Sequence, residues 1–136
     1  MIKQKFKLHK YLWKVYVYYN ATYEDIDTIV KSIRSIKLPS KYCESAYTIL
    51  KKGVLNNGLT LSNLRTKSTI IVISKTSNAS EFVNSMFHEI YHLVNHISKE
   101  YNIDNDSEEP CYLFGEIAQT MYKACHHLMC DNCKNE

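Results

Sequence analysis

Two histidines and a glutamate occupy the pentapeptide His88-Glu89-Ile90-Tyr91-His92, which has the spacing HExxH. On an α-helix, residues four apart lie nearly above one another, about 6 Å apart along the axis. His88 and His92 could therefore both bind one Zn²⁺ ion, and Glu89 could hold a water molecule against it. The motif predicts a hydrolytic zinc site if this segment is helical.

The residues around the motif favour a long helix. Ser77 or Asn78 can accept hydrogen bonds from the first free amides, and Glu81 lies in the first turn, where a carboxylate stabilises the helix dipole. No glycine or proline lies between Glu81 and Ile97. Apolar residues recur at spacings of three and four and predict one buried face: Phe82, Met86, Phe87, Ile90, Leu93, Val94 and Ile97. The alternative is a partly buried helix that carries two unrelated histidines.

A catalytic zinc site usually has three protein ligands and one open position for water. The candidates for the third ligand are the carboxylates of Glu108, Glu109 and Glu116 in a later helix. We favour Glu108, because it shares one helical face with Tyr112 and Gly115, and Gly115 would let this helix approach the motif helix closely. The alternative role of Glu108 and Glu109 is to stabilise the dipole at the start of their helix.

Composition limits the classes of protein to be considered. The 136 residues predict a single domain, residues 1–136, with 45% hydrophobic and 23% charged residues, as in ordinary globular proteins. No apolar run is long enough to span a membrane and no secretion signal is recognisable, so we expect a cytoplasmic protein. The net charge of +3 is too small to indicate nucleic-acid binding. We interpret the lysine-rich start as a solvated strand face.

The order of predicted elements indicates an α+β protein with a small, mostly antiparallel sheet of about three strands packed with helices. The predicted strands are residues 11–19, 59–64 and 68–74, and the turn signal Asn56-Asn57-Gly58 precedes the second. The predicted helices are residues 22–38, 42–52 (ended by Gly53), the motif helix and residues 108–128. Residues 69–73 are apolar on both faces, so we expect a central strand, covered on both sides and next to the motif helix.

The segment from Glu81 to His92 resembles the motif helix of small zinc peptidases encoded by phages and mobile elements. In that family the helix is followed by a segment Glu-x-x-(Cys/Ala)-Tyr-Leu-x-Gly, which residues 108–115, EEPCYLFG, match. The match places the family's glutamate on Glu108. The family is similar to the ImmA/IrrE-type metallopeptidases, and the resemblance covers roughly residues 69–122.

This resemblance implies a zincin-like fold and a zinc-dependent peptidase that hydrolyses a protein or peptide substrate. The HExxH motif would lie on a central helix and the third ligand on the helix that follows. His88, His92 and Glu108 would bind the zinc ion. Glu89 would be the general base and would return the proton to the leaving amine.

Three aromatic side chains near the motif have predicted roles of their own. Tyr112 could donate a hydrogen bond to the developing oxyanion, although a packed helix aromatic is the favoured interpretation. We expect Tyr91 to be structural, because it points away from the histidine pair. His96 continues the face of the histidine pair but lies too far along the axis to share the metal. We therefore expect it to face solvent or to support the ligands.

A second cluster of possible ligands lies in residues 125–133, CHHLMCDNC. Cys130 and Cys133 form a CxxC pair, which could bind a second metal together with Cys125, His126 or His127. A second CxxC is absent, and the favoured interpretation is a set of free thiols. The odd number of cysteines, five, also fits reduced thiols better than a disulfide framework.

Two other functions compete with the peptidase hypothesis. The first is a catalytically inactive binding module stabilised by zinc, in which a fourth protein ligand would replace the open position. The second, weaker one is nucleic-acid binding through the basic start of the chain.

Overall fold

The structure, a computed structural model, describes residues 1–51 and 58–133. The strands are β1 (Ile2–Leu8), β2 (Trp13–Ala21), β3 (Leu59–Asn63) and β4 (Ser68–Ser74). The α-helices are α1 (Ile26–Ser35), α2 (Ser40–Lys51), α3 (Ala79–Tyr101) and α4 (Glu109–Cys125). Short 3₁₀ segments are His9–Tyr11, Tyr23–Asp25 and His126–Met129. The predicted glycine stop at Gly53 and the turn residues Asn56 and Asn57 lie outside the described residues.

The four strands form one mixed sheet in the order β1-β2-β4-β3. The predicted α+β class is confirmed, and two of the three strand pairings are antiparallel, as expected of a mostly antiparallel sheet. The sheet has four strands where about three were predicted, and its central pairing is parallel. The strand that was not counted is β1, in which exposed lysines alternate with partly buried residues. The central pair β2/β4 is parallel, because the connection through α1 and α2 returns the chain to the same end of the sheet before β3 and β4 form their hairpin.

The central strand β4 is covered on both faces, as the sequence predicted. All seven of its residues are buried. Ile71 and Ile73 pack in the core under α3 and α4, whereas Ile70 and Val72 pack with α1 and α2. Burial of such an aliphatic side chain contributes about 1.5–3 kcal/mol. The motif helix α3 therefore packs on a fully buried strand.

Local interactions at both ends of helix α3 determine where it begins and ends. The Asn78 side chain accepts a 2.9 Å hydrogen bond from the amide of Glu81, and Asn102 ends the helix in the left-handed conformation. The predicted apolar face is buried except at Phe87, which is 42% exposed and packs edge-on against Phe114 of α4. None of the helices in the described part of the chain is long and apolar enough to cross a membrane.

Candidate metal centre

The two motif histidines lie side by side on α3. Their Nε2 atoms are 3.2 Å apart, and both side chains are exposed. Two nitrogens bound to one zinc ion at about 2.05 Å in tetrahedral geometry would be about 3.3 Å apart. The pKa of His92 is lowered, first by burial and then by His88, which favours the neutral imidazole that binds metals. The pair therefore fits a single tetrahedral metal ion.

Glu89 is the buried member of the group. It is 3% exposed, and no hydrogen-bond partner is found for its Oε2 atom among the described residues. Ligand atoms of His88, Glu89 and His92 all lie within 4.8 Å of one another. Burial raises the pKa of Glu89 to about 7. A carboxyl group with an unpaired oxygen thus lies next to the two imidazoles, where it can hold and deprotonate a water molecule.

Strand β3 packs against α3 beside Glu89. The Thr60 hydroxyl donates a 3.3 Å hydrogen bond to the main-chain oxygen of Glu89. Gly58, with φ of +119°, lies over the Glu89 side chain, because a Cβ there would be 3.4 Å from Cγ of Glu89 and 2.2 Å from the oxygen of Val72. Glycine is therefore required where the chain enters β3, and its main chain lies beside the Glu89 side chain.

His96, one turn beyond His92, is held by β3. Its Nδ1 atom lies 2.6 Å from the Ser62 hydroxyl, and the His92 and His96 ring centroids are 6.4 Å apart. The pKa of His96 is lowered, first by burial and then by the neighbouring His92 and Lys99. The side chain is half-buried, and its hydrogen bond is to Ser62 of β3 and not to either motif histidine.

The structure does not bring the predicted third ligand Glu108 to the histidine pair. No carboxylate besides Glu89 joins the group among the described residues. Glu108 is exposed and occupies the N-cap position of α4 without a side-chain capping bond. This end of α4 lies near the end of α3, where Tyr11 packs on Tyr101 at 5.2 Å between centroids. Tyr101 is nine residues beyond His92, which corresponds to about 14 Å along a helix.

The carboxylate of Glu109, the alternative third ligand, is already bound to other side chains. It accepts a 2.6 Å hydrogen bond from the Tyr11 hydroxyl and forms a 3.0 Å ion pair with Lys10. These partners, Tyr11 first, lower the pKa of Glu109. Of the two adjacent carboxylates, Glu108 is the one without such partners in the described structure.

Tyr112 and Glu116 face a different part of the surface from the histidine pair. Both line a shallow depression of about 240 Å³ together with Lys10, Tyr11 and Glu109. Tyr112 is 72% exposed, so it is not the packed aromatic that was the favoured interpretation. Tyr91, 60% exposed, also lies outside the histidine group.

The expectation that Gly115 allows a close helix approach is wrong. A Cβ at Gly115 would meet no atom within 4 Å, and the residue is exposed. Helix α4 instead contacts α3 through larger side chains. Phe114 packs on Phe87, and the Cys125 thiol lies 3.7 Å from the sulfur of Met86. The helices meet along a face of α4 that does not include Gly115.

The cysteine cluster divides into two parts. Cys125 is buried and faces Met86, and burial raises its pKa to about 12. Cys130 and Cys133 lie together in a turn, in which the amide of Cys133 donates to the oxygen of Cys130 at 3.1 Å. Within the described ranges, no third histidine, cysteine or carboxylate joins this pair to form a metal-binding group. The described residues around Cys130 and Cys133 therefore do not provide three ligands for a metal ion.

The sequence predicted Gly58 only as part of a turn and Ser62 only as a strand residue. In the structure Gly58 lies beside the Glu89 side chain, and Ser62 is hydrogen-bonded to His96. A partial signal was present, because Thr60 and Ser62 alternate on one face of a predicted strand. The partner strand and the helix that this face meets could not be deduced from that alternation.

Comparisons with protein-family models, with curated proteins and with solved structures found no match for this chain.

Proposed function

We propose that this protein is a zinc-dependent peptidase. The observation that carries the proposal is the buried Glu89 carboxylate, whose Oε2 atom has no hydrogen-bond partner in the described structure. It lies beside two imidazole nitrogens that approach to 3.2 Å. Leaving a buried carboxyl oxygen unpaired costs free energy, and a metal-bound water would supply the missing partner.

The residues have distinct tasks in this proposal. His88 and His92 hold the metal, and bound Zn²⁺ would lower the pKa of its water and polarise the scissile carbonyl. Glu89 accepts a proton from the attacking water and then gives it to the amine that leaves. In the metal-free protein burial raises the pKa of Glu89 to about 7, so its carboxylate is a stronger base than that of an ordinary glutamate.

The substrate proposed here is an extended polypeptide. Strand β3 lies at the edge of the sheet, with β4 on one side and no strand pairing on the other among the described residues. An open strand edge can pair its main-chain groups with an extended peptide. Thr60 of β3 is bonded to the main chain of Glu89, so a peptide along this edge would pass the catalytic carboxylate.

We propose Glu108 as the third zinc ligand. The Glu108 carboxylate has no hydrogen-bond partner among the described residues, unlike Glu109, which is bound to Tyr11 and Lys10. Reaching the histidine pair would require the first turn of α4 and the loop of residues 102–108 to rearrange when zinc binds.

The test measures zinc content and peptide cleavage separately. Protein expressed in zinc-supplemented medium should contain one zinc ion per chain and should cleave a mixed peptide library. Glu89→Gln should retain zinc and lose cleavage, because it keeps the shape of the side chain but cannot accept the proton. His88→Ala should lose both. Matched controls are Glu100→Gln and His9→Ala, which change exposed side chains of the same types.

Two outcomes would contradict the proposal. If the wild-type protein contained no zinc, the proposed metal centre would be contradicted. Stoichiometric zinc without any cleavage, together with a fourth protein ligand detected by X-ray absorption, would favour the zinc-stabilised binding module instead.

A further inference from the structure

A chain of three hydrogen bonds links the core to His96. The Trp13 indole Nε1 donates to the Thr69 hydroxyl at 2.8 Å. The Thr69 and Ser62 hydroxyl oxygens are 2.6 Å apart, and the Ser62 oxygen is 2.6 Å from Nδ1 of His96. Trp13 and Thr69 are fully buried, so none of their polar atoms can exchange partners with solvent.

The direction of this chain follows from its first member. An indole N–H can only donate, so the Thr69 oxygen accepts. The buried Thr69 hydroxyl proton needs an acceptor, and the Ser62 oxygen is the one it meets in the described structure. Ser62 then has its own proton to donate, and Nδ1 of His96, 2.6 Å away, is the acceptor that it meets in the described structure. The reverse direction would leave the Thr69 proton buried without a partner, at the full cost of its desolvation.

The consequence is a defined tautomer. If Nδ1 of His96 accepts a hydrogen bond, the ring is neutral and its proton is on Nε2. No hydrogen-bond partner is found for Nε2 among the described residues. The ring lines a groove of about 360 Å³, which also contains Tyr42, Thr60 and Ser62 and runs along β3. His96 therefore offers an unused N–H donor beside the open edge of the sheet.

We infer that His96 is a substrate-binding residue whose Nε2–H donates a hydrogen bond to a main-chain carbonyl of a peptide lying along β3. Trp13, Thr69 and Ser62 are positioning residues that hold this tautomer. The assignment of the occupant rests on the proposed peptidase function, but the tautomer does not. The carbonyl is not that of the scissile bond but of a neighbouring residue, because His96 lies one helical turn beyond His92.

The first experiment is independent of zinc and of activity. Metal-free protein labelled with ¹⁵N-histidine is examined by two-bond ¹H–¹⁵N correlation NMR at neutral pH. We expect His96 to give the pattern of the Nε2–H tautomer with an unprotonated Nδ1. Ser62→Ala should produce shifts that average over two exchanging tautomers, whereas Ser62→Thr, which keeps the hydroxyl, should preserve the wild-type pattern. An Nδ1–H tautomer in the wild-type protein, or unchanged shifts in Ser62→Ala, would overturn the inference.

The second experiment tests the occupant with two zinc-binding probes. An acetylated tripeptide hydroxamate contains peptide carbonyls, and acetohydroxamate contains none. In zinc-loaded protein, His96→Ala should weaken binding of the tripeptide probe about tenfold, the usual effect of losing one hydrogen bond, and leave acetohydroxamate and zinc binding unchanged. Equal loss for both probes, no loss for either, or a tripeptide that binds wild-type protein no better than acetohydroxamate would overturn it. Failure of the wild-type protein to bind zinc would instead contradict the proposed function, while the tautomer result would stand.

Discussion

The main chain at Gly58 lies beside the side chain of Glu89, across the interface between β3 and α3. A Cβ at position 58 would lie 3.4 Å from Cγ of Glu89 and 2.2 Å from the oxygen of Val72. Glu89 is 3% exposed, and this burial raises its pKa to about 7. The main chain at the start of β3 thus forms part of the surroundings of this buried carboxylate.

Gly58→Ala should destabilise the protein by about 2 kcal/mol or more, because the Cβ would collide with a main-chain oxygen and φ of +119° is strained for alanine. Urea denaturation of the metal-free protein measures this change as a lower midpoint. Gly115→Ala is the matched control and should raise stability by about 0.5–1 kcal/mol, since Gly115 lies inside α4 with open space around it. Equal effects of the two substitutions would contradict the close approach at Gly58.

Glu89→Gln should stabilise the metal-free protein at alkaline pH. The folded-state pKa of about 7 lies above the ordinary value of 4.5, so the folded state binds the proton more tightly than the unfolded state. Stability of the wild-type protein therefore falls as pH rises from about 4.5 to 7, and the loss is complete above pH 7. At pH 8 we expect the variant to be more stable by about 2 kcal/mol after allowance for solvent screening, and at pH 4.5 to differ little.

Thermal denaturation of Glu89→Gln at pH 4.5 and pH 8 measures this difference. Glu100→Gln, an exposed glutamate on the same helix, serves as the control and should show no such pH dependence. A stabilisation of Glu89→Gln that is equal at the two pH values would show that ionisation of Glu89 is not the cause.

Glu108→Ala should lower zinc affinity far more than Glu109→Ala. Removing an anionic ligand would leave two imidazoles, whereas Glu109 is held by Tyr11 at 2.6 Å and is not available to the metal. Competition with a fluorescent chelator measures the dissociation constant. If neither substitution changes it, the third ligand does not come from the first turn of α4. A loss confined to Glu109→Ala would mean that the Tyr11 bond breaks when zinc binds.

Asp131→Ala should destabilise the start of α3. One carboxylate oxygen of Asp131 accepts a 2.8 Å hydrogen bond from the amide of Ala79, the first residue of that helix. Loss of such a cap typically costs about 1 kcal/mol. Chemical denaturation should show the loss for alanine and a smaller one for Asp131→Asn, which keeps an acceptor oxygen. Identical losses in the two variants would assign the effect to charge rather than to capping.

Cys130 should react with iodoacetamide much faster than Cys125 in the native protein. A hydrogen bond from Cys133 lowers the pKa of Cys130, whereas burial raises that of Cys125 to about 12. Mass spectrometry of partially alkylated protein at pH 7.5 gives the order of reaction. Under denaturing conditions the two rates should become similar. Early labelling of Cys125 without unfolding would contradict its burial against Met86.

Local features of the structure could be predicted from the sequence because they depend on residues within a few positions of one another. The HExxH spacing places His88 and His92 on one side of any α-helix, and the Asn78 side chain caps an amide only three residues away. The burial of β4 on both faces also follows from its own composition, since an apolar run of this kind needs cover on each side.

Only the tertiary structure decided which partners those elements meet. Tyr11 donates a hydrogen bond to Glu109, which is 98 residues away in the sequence, and Ser62 is hydrogen-bonded to His96, which is 34 residues away. Gly58 lies beside Glu89 because β3 pairs antiparallel with β4 at the edge of the sheet, next to α3. Such contacts depend on strand order and on the parallel β2/β4 pairing that the α1–α2 connection imposes. Neither hydrophobic periodicity nor capping specifies these, because both act along the chain and not between its distant segments.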